Sequence, residues 1–363
     1  MPGYYIKTLF RYNQIMNTNS KESLKAYSYP ELKNLVQELK IPQFRAKQLY
    51  EWLYLHHVSS FDEMTNLPKP LRETLKSEFT LSNSTIINVQ ISQDGTRKYL
   101  IKLDDENLIE TVGIPSRNGQ RLTVCFSTQV GCLMKCSFCA TGKEGFTRNL
   151  LPGEICDQIL LVQEDFNKRV TNIVGMGQGE PFLNYGNVIK ALEILNDPQV
   201  IGIGARHIAI STCGLIPQIN LFSQVNEQYI LAVSLHSAIQ TTRDNLMPKV
   251  KQYSLDALKR ALSSYIDTTG RRVTLEYAMM KDINDDEDHL EALIEFCKDL
   301  LCHINLIPLN IIPDSDYQPS TSQTLSYWTK TLNNAHIETT VRHSKGSDIA
   351  AACGQLKNTL SIN

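Results

Sequence analysis

Apolar positions between Tyr29 and Phe79 recur every three or four residues, the spacing of helices with one buried face. Leu32, Leu35, Val36 and Leu39 follow Ser28, a helix-capping type, and Pro30, which suits a first helical turn. Phe44, Leu49, Trp52 and Leu53 mark a second helix, and Leu71, Leu75 and Phe79 a third. A small helical core built on these aromatic and aliphatic residues is predicted. From Ile86 the pattern changes. Residues 86–91, 99–103 and 108–114 are β-rich, and turn-formers at Asp94-Gly95 and Asp104-Asp105-Glu106-Asn107 separate them, which predicts an antiparallel meander.

Strands and helices then alternate. Strand-like runs at 122–127, 171–176, 207–211, 229–235, 272–277 and 304–309 are interleaved with helical stretches such as 154–166, 188–195, 255–266 and 287–301, and one further strand covers 337–342. Six βα units in succession imply a parallel sheet with right-handed crossovers. The fold class is α/β. The count fits a partial (β/α)6 barrel, whereas a full barrel needs eight. The domains expected are an extension over 1–27, a small helical domain of RNA-binding type over 28–85, the meander as a linker over 86–117, a core barrel over 118–347 and a C-terminal segment over 348–363.

Composition narrows the class without deciding it. The chain has 363 residues, 42% of them hydrophobic, as in ordinary globular proteins. No apolar run reaches the length of a membrane span. Met1 to Ser23 lack the apolar core of a signal peptide and read as a disordered extension or a mis-assigned start. A cytoplasmic, monomeric protein without a membrane partner is expected. The formal charge of −2 announces no global attraction to nucleic acid, so an RNA enzyme would need a local basic face. Lys135, Lys143 and Arg148, Lys249 and Lys251, Arg271 and Arg272, and Arg342 with Lys345 are candidates, as are Arg45, Lys47, Lys69, Arg72 and Lys76 in the helical region. Each taken singly is more commonly a solvated surface charge.

Nine cysteines in a reducing compartment argue for metal or catalytic use. Three of them, Cys132, Cys136 and Cys139, share one loop, with Phe138 before the last. A structural zinc site wants four ligands, usually in two pairs, and no second Cys-x2-Cys occurs in the chain. Three thiolates can instead hold a [4Fe–4S] cube by three corners and leave one iron open for the amino and carboxylate groups of S-adenosylmethionine. Cys-x3-Cys-x2-Cys with that aromatic resembles the signature of the radical S-adenosylmethionine superfamily. Cys156, Cys213, Cys297 and Cys302 sit in apolar surroundings and read as core.

The strand ends carry the remaining candidates. Met176-Gly177-Gln178-Gly179-Glu180-Pro181 follows the second strand and resembles the superfamily loop that receives the methionine amino group. Ser211 ends the third strand, Ser234-Leu235-His236 the fourth and Asn310 the sixth. Their side chains can hydrogen-bond a ribose, a carboxylate or an adenine edge. Cys125 and Cys353 lack cluster-ligand spacing, and on position alone each reads as a small buried residue. Taken with Ile109-Glu110-Thr111-Val112, the cluster loop, the 176–181 loop and the Ala352-Cys353-Gly354-Gln355-Leu356 segment, they make the chain, from about Tyr29 to Leu356, resemble the RlmN/Cfr family of radical S-adenosylmethionine RNA methyltransferases.

The resemblance implies methylation of adenine C2, an electron-poor carbon that the sulfonium does not alkylate directly. In the family scheme Cys353 takes a methyl group from one S-adenosylmethionine. A second molecule, cleaved at the cluster, yields the radical that activates this methyl for addition to the base, so two are used per turnover. Cys125 then releases the product through a transient disulfide with Cys353, and Glu110 maps onto the proposed proton acceptor. Cys132, Cys136 and Cys139 would bind the cluster, and Gly179, Glu180, Ser211, Ser234, Leu235, His236 and Asn310 would contact S-adenosylmethionine. The implied partners are 23S rRNA, at an adenosine of the peptidyl-transferase loop, tRNA, at the adenosine following the anticodon, and an electron donor of flavodoxin or ferredoxin type. Gln178 stands where Met is common in the family, Lys345 replaces a frequent Arg, and Lys249-Val250 stands where Ile-Asn is usual. Lys for Arg loses bidentate phosphate recognition. The runner-up is a Cfr-like enzyme acting at C8 of the same ribosomal adenosine. Glu180-Pro181 favours C2.

Overall fold

The computed structural model describes residues 21–358 apart from Ser82, Asp314 and His343. Most of the expected N-terminal extension, through residue 20, lies outside the described residues. The chain divides into two compact units after Ser82.

In the first unit, Ser28 N–H donates to Glu31 Oε2 at 2.7 Å, a capping contact that starts the helix Tyr29–Glu38. Helices Phe44–Tyr54 and Lys69–Glu78 follow. Leu32, Val36, Leu49, Leu53 and Leu75 are fully buried, with Tyr50 and Tyr54 filling the space between them. Phe44, expected inside, is 59% exposed. Two residues before the buried Ala46, it points to roughly the opposite side of a 3.6-residue helix. The unit also begins earlier than Ser28. Glu22–Ser23 pairs in parallel with Phe79–Thr80, and Leu24 is fully buried. A two-residue strand is too short to leave a periodic signal.

The second unit is organised by one ten-stranded sheet. Its strands are β1 (Thr85–Ile91), β2 (Arg97–Lys102), β3 (Leu108–Pro115), β4 (Leu122–Cys125), β5 (Asn172–Gly175), β6 (Ile208–Thr212), β7 (Ile230–Ser234), β8 (Val273–Met279), β9 (Cys302–Pro308) and β10 (Thr339–Val341). Their order in space follows their order in the chain. β1 to β4 pair antiparallel, and β4 to β10 are all parallel. The meander is thus a continuation of the barrel sheet, not a separate linker: Val112 of β3 pairs with Cys125 of β4. Val124, Ile173, Ile210, Leu231, Val233, Leu275, Ile304 and Leu306 are fully buried, as expected of parallel strands covered on both faces.

Helices Pro152–Phe166, Tyr185–Asn196 and Leu255–Thr269 match their periodic stretches. The helix expected over 287–301 stops at Cys297, because Lys298 leaves helical geometry and Asp299 takes a left-handed φ of 61°. Among the described residues, no helix is long and apolar enough to cross a membrane.

Candidate active site

The cluster loop hangs between two elements that the sequence pattern did not disclose. Gln129–Gly131 pairs antiparallel with Phe146–Asn149, and Cys132 N–H donates to Gly145 O at 2.6 Å across the base of the loop. At the other end Cys139 caps the short helix Ala140–Glu144. Lys135 takes a left-handed φ of 53°, and Ser137 N–H donates to Leu246 O at 3.0 Å. Cys132, Cys136 and Cys139 line one cavity. Burial pushes the Cys132 thiol up to about 12 and the Cys139 thiol up to about 11. Without a metal these groups hold their protons, and an iron cluster would displace them by stabilising the thiolates. Among the described residues no three His, Cys, Asp or Glu side chains gather on a single-ion site. The three thiols line the same cavity within electrostatic reach of one another, and their donor set suits an iron–sulfur cluster held at three points.

The same cavity collects residues from the ends of successive strands. Gly177, Gly179 and Glu180 follow β5, Ser211 and Ser234 end β6 and β7, and His236 and Asn310 follow β7 and β9. The backbone passes Gly179 at φ +101°, and a Cβ there would stand 2.6 Å from Gln129 Cβ. Glu180 is buried, accepting Phe182 N–H at 3.0 Å and Cys213 N–H at 2.7 Å. Burial raises its carboxyl above the usual range, and these N–H groups oppose the shift. His236 Nδ1 accepts Ala278 N–H at 2.9 Å, which leaves the proton on Nε2. Burial, with the Arg243 charge second, lowers His236 to about 3, so the ring is neutral. Leu235 does not line the cavity. It is fully buried, and its N–H donates to Glu276 O at 3.0 Å.

Cys353 stands in a wall shared by this cavity and a second one. Met176, Ile307, Asn310, Arg342 and Cys353 belong to both, and Cys125 lines the second. Burial pushes Cys125 up to about 12, with the neighbouring Cys353 adding to the shift and Arg342 opposing it. The segment around Cys353 is tied at several points. Asn310 Nδ2 donates to Cys353 O at 3.1 Å, Ala140 N–H to Gly354 O at 2.8 Å, and Thr141 Oγ1 to Leu356 O at 2.9 Å. The helix that follows the cluster loop therefore also holds the Cys353 segment.

Glu110 lines neither cavity. Its carboxylate lies 3.2 Å from Lys98 Nζ and accepts Lys357 N–H at 2.7 Å. Burial raises it above the usual carboxylate range, and Lys98 opposes the shift. Gln178, the departure from the family pattern, is fully buried. Its Oε1 accepts Glu110 N–H at 2.9 Å, and its Nε2 donates to Asn358 Oδ1 at 2.8 Å.

Cavity residues that escaped the sequence reading include Cys213, Arg342 and Glu276. Cys213, expected in the core, lines the first cavity and hydrogen-bonds Cys136. Arg342, grouped with surface cations, lines both cavities within electrostatic reach of Cys353, Glu276 and Cys125. Glu276 also lines the first cavity. A charged residue inside an otherwise apolar parallel strand was the one available signal for it. Of the other basic candidates, Lys345 also lines the second cavity, and several pair within the fold. Arg148 binds Asp105 and Glu154, Arg271 donates to the carbonyls of Val225, Glu227 and Tyr229, Arg272 pairs with Glu338, and Lys345 pairs with Asp94.

Two family models match the chain. Residues 23–81 match the ribosomal RNA large subunit methyltransferase N-terminal domain, and residues 126–297 match the radical SAM superfamily. A protein of Synechocystis described as a probable dual-specificity RNA methyltransferase RlmN is 46% identical over 93% of this chain and 95% of its own length. A Clostridium novyi protein of the same description is 42% identical over 93% and 98%. The crystal structure of a radical SAM methyltransferase from Sphaerobacter thermophilus superposes with a TM-score of 0.88 at 38% identity, covering 93% of this chain and all of that one. The partial barrel, the three-cysteine loop and these relatives agree, and the chain belongs to the RlmN family of radical S-adenosylmethionine RNA methyltransferases.

Proposed function

We propose that the protein methylates C2 of an adenosine in the peptidyl-transferase loop of 23S rRNA and of the adenosine 3′ of the anticodon in tRNA, with Cys353 as the methyl carrier. The observation that carries this reading is the position of Cys353 in the wall between the two cavities. The cluster cysteines face one cavity, and Cys125 faces the other. When bound on Cys132, Cys136 and Cys139, the cluster supplies the electron that cleaves S-adenosylmethionine.

The chain's own groups do the rest. The Cys353 sulfur loses its proton and takes the sulfonium methyl, forming an S–CH3 bond as the donor's S–CH3 bond breaks. Glu180 and the glycines beside it receive the methionine end of the cosubstrate. Ser211, Ser234 and the Nε2–H of His236 offer it hydrogen bonds, and Asn310 holds the carrier backbone in place. Cys125 is the thiol that shares a cavity with Cys353, so removal of the C2 proton falls to it. Its sulfur then bonds the Cys353 sulfur as the bond from Cys353 to the methylene on the base breaks. The methylene carbon keeps that electron pair and takes up a proton to become the product methyl. The high proton affinity of Cys125 keeps it a neutral thiol until it acts. Methylation of Cys353 removes one of the charges that raise it, while the Arg342 cation still favours the thiolate. Glu110 acts at a distance, with Lys98 and Lys357, by fixing the segment that carries Cys353.

The target base must leave its stack to reach this interior, at a cost of about a few kcal/mol. A cytoplasmic location, a monomeric state and a flavodoxin- or ferredoxin-type reductant complete the proposal. Mass spectrometry of nucleosides from rRNA and tRNA, made with and without the protein, tests it. We expect 2-methyladenosine in both pools. An 8-methyl product would reassign the chain to the Cfr-like reaction.

A further inference from the structure

Glu276 sits in the middle of β8, in register with Ser234 of β7 on one side and Asn305 of β9 on the other. It is 4% exposed and lines the cavity that holds the cluster cysteines. Its backbone carbonyl supports the adjacent turn, accepting Leu235 N–H at 3.0 Å and His236 N–H at 3.3 Å. Its carboxylate is only half engaged. Oε1 accepts Asn305 Nδ2 at 3.0 Å, whereas Oε2 has no hydrogen-bond partner among the described residues.

A buried carboxylate with one free oxygen is a costly arrangement unless a donor completes it. The Arg342 guanidinium compensates part of the charge electrostatically, yet it leaves Oε2 without a hydrogen bond. The neighbours indicate what the donor is. Glu180, on the β5 side, has both carboxylate oxygens occupied by backbone N–H groups. Across the sheet from it come the hydroxyls of Ser211 and Ser234, 3.5 Å apart, and then Glu276. A ligand extending from Glu180 toward β8 meets hydroxyl groups and then the unpartnered Oε2 of Glu276. A vicinal diol complements that sequence, because each of its hydroxyls can donate to a carboxylate oxygen while accepting from a serine.

We propose that Glu276 is a ligand contact, its free oxygen accepting hydrogen bonds from the ribose hydroxyls of the nucleoside bound beside Ser234. This rests on the reading of the cavity as the S-adenosylmethionine site. It adds an anionic acceptor that selects the ribose form of the cosubstrate.

Glu276→Gln is the informative variant. The amide oxygen keeps the Asn305 bond, and the amide nitrogen turns the free acceptor into a donor. Equilibrium dialysis on full-length, cluster-reconstituted protein would measure binding of S-adenosylmethionine, of its 2′-deoxy and 3′-deoxy forms, and of the form lacking the adenine amino group. The wild-type protein is expected to bind at least one deoxy form on the order of tenfold more weakly than the parent. Glu276→Gln should bind the parent about tenfold more weakly and no longer distinguish it from that deoxy form, with iron content unchanged. A purely structural role would weaken all ligands alike and preserve the discrimination, which would overturn the contact. Discrimination that follows the adenine amino group instead of the hydroxyls would also overturn it. If the variant fails to fold, the wild-type series still decides, since equal binding of all ribose forms refutes the proposal. Wild-type protein that carries iron but binds no S-adenosylmethionine would overturn the reading of the cavity itself, and this contact with it.

Discussion

Lys98 Nζ lies 3.2 Å from Glu110 Oε1, and the two side chains are 8% and 1% exposed. Lys98 also donates to Ala350 O at 3.4 Å, and Glu110 Oε2 accepts Lys357 N–H, so the pair clasps the segment on both sides of Cys353. Removing one partner of a buried pair leaves an uncompensated charge, at a cost of about 3–5 kcal/mol. Lys98→Met should lose stability of that order in urea unfolding, with amide exchange accelerated at residues 350–358. Glu110→Gln, which leaves the Lys98 charge uncompensated and turns an amide N–H toward one of two donors, should lose a comparable amount. Unchanged exchange in Lys98→Met would show that the pair does not hold the segment.

Cys136→Ala leaves two loop thiolates where the cube needs three. Reconstituted variant protein should contain little iron and produce no 5′-deoxyadenosine with reductant present. Undiminished production would count decisively against the cluster assignment.

Cys125→Ala removes the thiol that shares a cavity with Cys353 and spares every cluster ligand. The variant should accumulate RNA joined covalently to Cys353, seen as a nuclease-sensitive shift on a denaturing gel. The double variant with Cys353→Ala should show none. An adduct that survives loss of Cys353 would identify a different carrier.

His236 is buried as the neutral ring, with its proton affinity lowered from 6.5 to about 3. The unfolded chain takes up this proton as the pH falls through 6.5, and the folded chain does not until about 3. Stability is therefore complete above 6.5 and declines between 6.5 and 3, with a slope of about 1.4 kcal/mol per pH unit from this group. Urea unfolding across that window should show a shallower acid decline for His236→Gln. Parallel profiles would mean that the ring titrates normally.

Gly179→Ala places a methyl group 2.6 Å from Gln129 Cβ and 2.8 Å from Gln129 N, on a left-handed backbone. Gln129 Oε1 accepts Glu180 N–H at 2.9 Å, so the displacement reaches Glu180, the residue proposed to receive the methionine end. A stability loss of about 1–3 kcal/mol is expected, together with weaker S-adenosylmethionine binding in dialysis. Gly186→Ala, with open space at its Cβ, is the control and should melt no lower than wild type.

The parts of this molecule that are local in sequence were legible there. Cys132, Cys136 and Cys139 declare a site by covalent spacing alone, and each parallel strand announces itself by a short apolar run. What the sequence concealed depends on register and on the return of the chain. Glu276 becomes a cavity residue only because β8 pairs Ser234 and Asn305 on either side of it. Arg342 looks like any cation near a strand end until the 339–356 stretch packs against β4 and β9. Cys213 was assigned to the core by its apolar neighbours, yet one residue past β6 the backbone turns its thiol toward Cys136. Phe44 failed in the opposite sense. Its hydrophobicity suggested burial, but its phase on the helix placed it outside.

The residues shared by the two cavities around Cys353 bear on the stoichiometry of the proposed reaction. Ile307 and Met176 are the apolar residues common to both cavities, beside Arg342, Asn310 and Cys353. On the proposed scheme, a sealed partition would leave the Cys353 sulfur as the exit for a reactive species made on the cluster side. With a loose one, it meets solvent first. On that scheme, side-chain packing there would set how many S-adenosylmethionine molecules are consumed per methyl group delivered, and a shortened Ile307 should raise that ratio.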